Sequence, residues 1–353
     1  MFGKWQKWFL PSVRMVLLLF CLVVPLPGFA APADQDKDIA GVLGLYQADS
    51  GRFLIREREG TLEMLYDVNP GKDEIVHDFA AYPLRRTSGD VYRWIGKGPL
   101  TDQIALMRFQ RDADGWGSAC IIADKVFIRR FYGPEKGETF KIKPLLSVEE
   151  LRKIAAQSVP PVEQGIFAES DLVEVQKIDA TVHLDIRYAT TDNFMGIALY
   201  EQPRAFLQRP AAEALIRAHR TLSQYGYGIL IHDAYRPWTV TKMFWEATPV
   251  HQRGFVADPS KGSRHNRGGA VDVALYDLAT GKPESMISGY DEFSPRAFPD
   301  FPGGTTDERR KRELLRIVME GEGFTVYPEE WWHFDYKGWQ RFRIMNVSFS
   351  EIN

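Results

Sequence analysis

Residues 210–247 read PAAEALIRAHRTLSQYGYGILIHDAYRPWTVTKMFWEA, and two periodicities lie side by side in them. Ala211, Ala214, Leu215, Ala218 and Leu222 recur at helical spacing, which predicts a helix with Pro210 in its first turn and an end near Gln224. Gly226 is placed for its C-cap. Residues 228–231 form a short apolar run that predicts a buried strand, and residues 238–247 predict a second helix. Further out, residues 182–188 alternate as a strand does, residues 270–274 and 334–336 read as strands, and residues 307–321 form a charged amphipathic helix. The fold class expected over residues 165–345 is α+β, a mostly antiparallel sheet with flanking helices that carry the site described below.

Upstream, residues 40–145 read as a small all-β domain. Short β-rich runs are punctuated by turn signals such as Glu59-Gly60, Asp112-Ala113-Asp114-Gly115 and Ala123-Asp124, which suits an antiparallel sandwich or barrel. The pattern resembles the small β-barrel modules appended to some secreted serine-type hydrolases. His77, its one histidine, sits in a polar loop and reads as a solvated imidazole. Residues 146–164 supply a helix and a linker: Ser147 and Glu150 form a capping box ahead of residues 148–157, and Ser158-Val159-Pro160-Pro161 stops the helix.

The first thirty residues read as an export signal. Lys4, Lys7 and Arg14 make a positive leader, residues 15–24 an apolar run too short to span a bilayer, and Gly28-Phe29-Ala30 a cleavage signal expected to cut after Ala30. The protein is expected to be periplasmic or secreted, with no stable membrane insertion once the signal is removed. Cys120 then remains without a partner for an intramolecular disulfide; it reads as a buried, inert thiol in a strand. A formal net charge of −3 on 353 residues gives no electrostatic footprint for nucleic acid.

Two C-terminal stretches carry chemistry: SRHNRGGAVD (residues 263–272) and EWWH (residues 330–333). They offer two imidazoles, His265 and His333, one ligand carboxylate, Asp272, and one further carboxylate, Glu330. Three protein ligands, an open position and a base beside them make up a catalytic zinc site. Gly268-Gly269 lets the loop fold tightly and bring His265 back to Asp272. Asp272, mid-strand among Ala, Val and Leu, needs a partner or a cation; pairing with Arg264 or Arg267 is the plainer alternative. Glu330 and His333 have opposite parity in a regular strand, so an irregular backbone is expected at Glu330-Trp331, with the strand resuming near Trp332. Failing that, they are a surface glutamate and a core-edge histidine. Arg236, in Asp233-Ala234-Tyr235-Arg236-Pro237, can aim a fixed charge at an oxyanion or form an ion pair with Asp233. His183, His219, His232 and His251 read as structural.

These motifs, with DIRYATTDNFMG (185–196) and GYDEF (289–293), resemble the D-alanyl-D-alanine dipeptidases, the VanX-type zinc peptidases of the D,D-carboxypeptidase clan, over residues 177–336. The resemblance implies His265, Asp272 and His333 as ligands of one Zn²⁺ per chain, Glu330 as general base and acid, and Arg236 as transition-state stabiliser. It adds Ser263 and Asp291 as pocket residues, Asp291 near the substrate ammonium. The implied substrate is the small dipeptide D-Ala-D-Ala and the implied products two D-alanine. The all-β domain and the export signal depart from the simplest member. Scavenging dipeptide from peptidoglycan is therefore expected, with the β domain free to contact cell wall or a protein partner. The same zinc chemistry would serve a D,D-carboxypeptidase or endopeptidase acting on intact wall peptides, and loss of metal would leave a binding module.

Overall fold

The structure is a computed structural model and describes residues 39–67, 79–94, 106–132 and 139–352. His77 and the export signal lie outside the described residues.

Eight strands, β1 (Gly44–Ala48), β2 (Gly51–Arg58), β3 (Thr61–Asp67), β4 (Phe79–Ser88), β5 (Val91–Trp94), β6 (Leu106–Arg111), β7 (Gly117–Ile122) and β8 (Lys125–Arg130), close into a barrel in chain order. Both outcomes left open by the hairpin pattern thus resolve to the barrel, because β1 pairs antiparallel with β8 as well as with β2. Closure leaves no free sheet edge. Period-two alternation sends Phe53, Ile55, Met64, Trp94, Phe109 and Phe127 inward. Cys120 joins them, and burial pushes its thiol up, away from reactivity.

Helix α1 (Val148–Gln157) begins at Ser147 with both halves of the expected capping box formed. Beyond it come β9 (Leu172–Glu174), the short α2 (Val175–Ile178), β10 (His183–Leu184), β11 (Phe206–Gln208), α3 (Arg209–Ser223), β12 (Tyr227–Asp233), α4 (Trp238–Ala247), β13 (Ala270–Asp277), α5 (Thr306–Gly321), β14 (Phe324–Tyr327) and β15 (Glu330–Tyr336). Strands β10-β12-β13-β15-β14 form one sheet, antiparallel except for the β10–β12 pair. Helices α3 and α5 pack on each other and on this sheet, and α4 packs on α1. Both faces of β13 are buried.

One expectation is corrected. Residues 182–188 alternate as a strand, yet only His183 and Leu184 pair; residues 187–189 turn into a 3-10 helix. Arg187 is drawn back onto Asp185 and Asp192, which bends the chain away from the sheet.

The barrel meets the second unit at the start of α5. The Glu57 carboxylate accepts from the Thr306 N–H, Arg309 donates to the Glu57 carbonyl, and Phe301 packs on Leu45, Leu54 and Leu65.

His219 ties α3 to β12. Its Nδ1 accepts the Ile229 N–H at 3.0 Å, and its Nε2–H donates to Thr181 Oγ1 at 2.9 Å, whose own hydrogen goes to Asp179. Both ring nitrogens are thus committed in the neutral form, and burial holds the imidazole below its ordinary pKa. The unfolded chain takes up this proton first. The stability His219 contributes is complete above the ordinary imidazole value and lost as pH falls through it toward the folded value. Urea unfolding at pH 7.5 and pH 5 should show wild type losing more stability on acidification than His219→Gln; equal losses would remove this role.

Candidate active site

Three neighbouring strands end at the site. In register, Asp233 of β12 lies beside Asp272 of β13, which lies beside His333 of β15. The β12 register shifts between Ile231 and Asp233, so the strand bulges at His232. The β14–β15 register also shifts, with Tyr327 opposite Glu330 and Val326 opposite Phe334. The irregularity falls where parity required it, and regular pairing resumes at His333, one residue later than expected. It puts Glu330 and His333 on one cavity.

His265 arrives from a 3-10 turn, residues 265–267. Gly268 follows at φ +64, where a Cβ would meet Leu172 at 2.5 Å, and a Cβ on Gly269 would meet Trp339 at 2.6 Å. Only glycine lets the turn lie this close to β9 and the C-terminal segment. Asn266, which sequence reasoning passed over, locks the turn: its amide donates to the Arg236 carbonyl and to Thr241, and its Oδ1 accepts the Ser263 N–H.

One donor atom from each of His265, Asp272 and His333 lies within 4.8 Å of the others, and all three residues are buried. His265 Nδ1–H donates to the Ala234 carbonyl at 2.6 Å, which leaves the Nε2 lone pair inward. His333 Nε2–H donates to Asp335 at 2.9 Å, which leaves Nδ1 inward. The two inward nitrogens are 3.1 Å apart, and Asp272 Oδ1 lies 3.3 Å and 3.0 Å from them. That oxygen is at ion-pair distance from both rings but, among the described residues, has no hydrogen-bond partner. Three buried lone pairs facing one another repel unless positive charge sits among them. The donor set therefore fits a metal ion. Burial alone would lower the His333 pKa, yet Asp272 and Asp335 raise it to about 10.

Beside this cluster the Glu330 carboxylate stands 3.7 Å from His333 Nδ1. Burial, which outweighs the attraction of His333, pushes its pKa up to about 7. Arg236 is held by Asp233, with Nε and Nη2 at 2.8 Å and 2.7 Å from Oδ2, and Tyr200 donates to the other Asp233 oxygen. Its guanidinium packs over Phe244 and Tyr188. The ion pair with Asp233 and a place at the cavity are thus not alternatives; the first aims the second.

The cavity has a volume of about 450 Å³. Its rim includes the exposed Lys261 and half-buried Tyr327 and Trp339; Tyr188, Phe194 and Asp291 are its buried lining. Asp291 accepts from the Tyr188 hydroxyl at 2.7 Å and has φ +55, an uncommon backbone for a non-glycine residue. Burial and the nearby Asp272 charge raise its pKa well above the carboxylate range. Ser263 also lines the cavity, and its Oγ accepts the His265 N–H at 3.2 Å.

The seven residues singled out in sequence, Glu330, Arg236, Ser263, Asp291, His265, Asp272 and His333, all line this one cavity. The surface pairings do not form: Arg264 sits on Asp335, and Arg267 on Glu163. His232 stacks on Tyr290 and His183 on Tyr276, and neither belongs to the donor set. Sequence reasoning missed Asp335, Tyr188, Tyr200 and Tyr290. Asp335 had one visible signal, its place two residues beyond His333, where strand parity sends both side chains to one face.

A donor set of this kind, with a carboxylate and an arginine at one cavity, defines the class as metal-dependent peptidase. Residues 168–351 match the family described as D-ala-D-ala dipeptidase (Peptidase_M15). The D-alanyl-D-alanine dipeptidase of Escherichia coli (strain K12) is 36% identical over 166 residues, 47% of this chain and 84% of the relative. The enzyme of that name from Enterococcus faecium is 34% identical over 181 residues, 44% of this chain and 88% of the relative, and that from Streptomyces coelicolor 31% over 188, 47% and 92%. The chain belongs to this family of metallopeptidases.

Asp335→Ala should weaken metal binding about 10- to 100-fold, since a carboxylate behind a ligand histidine fixes its tautomer and raises its basicity. Chelator competition measures this; unchanged affinity would show that Asp335 serves Arg264 alone.

Proposed function

We propose that the protein is a zinc dipeptidase that hydrolyses D-Ala-D-Ala to two D-alanine outside the cytoplasm. The observation that carries the reading is the buried gap between His265, Asp272 and His333 with Glu330 at its edge. These three residues would hold the ion, which when bound supplies Lewis acidity. The set also suits other divalent ions; its nitrogen-rich, three-ligand composition favours zinc.

Glu330, beside the donor set at 3.7 Å from His333, accepts a proton from the attacking water and passes it to the leaving amine as the peptide C–N bond breaks. Arg236, fixed by Asp233, faces the oxyanion that forms on the carbonyl. Asp291 receives the substrate ammonium, which supplies the countercharge this buried carboxylate otherwise lacks. Ser263 orients the dipeptide from the wall beside His265. Asp291 is buried in the cavity lining with Tyr188 and Phe194, and a buried carboxylate there suits a free ammonium rather than an acylated nitrogen. That supports a dipeptidase over a carboxypeptidase or endopeptidase acting on intact wall peptides.

Separate buried clusters support a barrel domain within residues 40–145 and a second domain over 165–345, with Ile142 and, from the 146–164 segment, Leu151 and Ala155 packed into the second cluster. The leader at residues 1–30, with cleavage after Ala30, supports export and scavenging of dipeptide from peptidoglycan. No helix among the described residues is long and apolar enough to cross a membrane. The barrel offers a surface to cell wall or a protein partner; its composition gives no footprint for nucleic acid.

Metal analysis coupled to D-alanine release tests the core of this. Wild type should bind about one zinc per chain and cleave free D-Ala-D-Ala, but not its N-acetyl derivative or muropeptides. Glu330→Ala should keep the zinc and lose about 10²- to 10⁴-fold in turnover. Preferred cleavage of muropeptides would replace the dipeptidase reading with the wall-peptide one.

A further inference from the structure

Tyr290 stands inside the 289–293 motif and has no part in the chemistry above. It is 6% exposed, and its hydroxyl donates to Asp272 Oδ2 at 2.9 Å. Asp272 is thereby divided. Oδ1 faces the two imidazoles without a hydrogen bond, while Oδ2 is engaged by Tyr290 with Arg236 Nη2 at 4.0 Å. The Tyr290 ring is itself held. His232 stacks on it with centroids 4.6 Å apart and planes at 22°, and Trp332 meets it edge-on at 5.7 Å. His232 stands at the β12 bulge with Nδ1 3.3 Å from both the carbonyl and the carboxylate of Asp185.

We propose that Tyr290 is a positioning residue for the metal site: its hydroxyl holds one oxygen of Asp272 so that the carboxylate offers only the other, Oδ1, to the ion. This rests on His265, Asp272 and His333 being the ligands. A carboxylate can bind a cation through one oxygen or both. A donor fixed on Oδ2 occupies one of that oxygen's two lone pairs and sets the carboxylate's rotation, which favours the one-oxygen mode. One-oxygen binding leaves the remaining coordination free for reactants, as a catalytic site requires. The ring's packing on His232 and Trp332 does not involve the hydroxyl and is kept when only the hydroxyl is removed.

The test compares wild type, Tyr290→Phe and His232→Ala, each stripped of metal and reloaded. Tyr290→Phe keeps the ring and its packing and loses only the hydroxyl, so thermal unfolding of the metal-free protein should change little. Zinc affinity, read by chelator competition, should fall about 10- to 100-fold. The visible absorption of the cobalt-loaded protein should weaken and shift as the second oxygen enters the shell. His232→Ala keeps the hydroxyl and should leave the cobalt spectrum close to wild type. Tyr290→Phe with wild-type affinity and spectrum would overturn the proposal, and so would equal spectral changes in both variants, because packing would then be the cause. If wild type itself bound no zinc, the ligand assignment would fail, a result distinct from either.

Discussion

A carboxylate buried in the middle of a sheet sets the terms for everything around it. Asp272 sits on β13 with both faces of the strand covered and Oδ1 lacking a hydrogen bond. A buried charge without compensation costs several kcal/mol, so the fold must bring countercharge to it. His265 and His333 approach Oδ1 from a turn and from the neighbouring strand, and Tyr290 and Arg236 approach Oδ2. The residues that compensate Asp272 are those that a metal ion or the substrate would use.

Four of the side chains at the cavity are held from behind by a second polar group. Asp233 and Tyr200 stand behind Arg236, Asp335 behind His333, the Ala234 carbonyl behind His265 and Tyr188 beside Asp291. A site whose members are fixed before substrate arrives loses little to reorganisation during the reaction. Three irregular pieces of the second unit, the bulge at His232, the shifted β14–β15 register and the left-handed Asp291, lie at this cavity or beside residues that line it. Regular strands could not bring residues of opposite parity to one point, so departures from regularity do it.

The helices were readable because their signals are local. The capping box at Ser147, Pro210 in a first turn and the apolar spacing after it each depend on a few neighbouring residues, and α1, α3 and α4 follow them closely. The hairpins of the barrel were readable from their turns for the same reason. Residues 182–188 were misread because alternation alone cannot report an ion pair: Arg187 bonds to Asp185 and Asp192 and bends the chain after two strand residues. Barrel against sandwich was open because closure depends on β1 meeting β8, some eighty residues apart in sequence, and no turn residue encodes that meeting.

At the site, the sequence by itself singled out the residues that the fold brings to one cavity. His265, Asp272, Glu330, His333 and Arg236 stand in short motifs where a charge or an imidazole is out of place unless it acts, and that is a local property of composition. Only the tertiary structure decided what supports them. Tyr188, Tyr200 and Tyr290 are ordinary aromatic residues in sequence, and whether a tyrosine hydroxyl ends on a carboxylate depends on which strands become neighbours. Long-range hydrogen bonds leave no local period to read, whereas the need of a buried charge for a partner is visible wherever the charge is written into an apolar run.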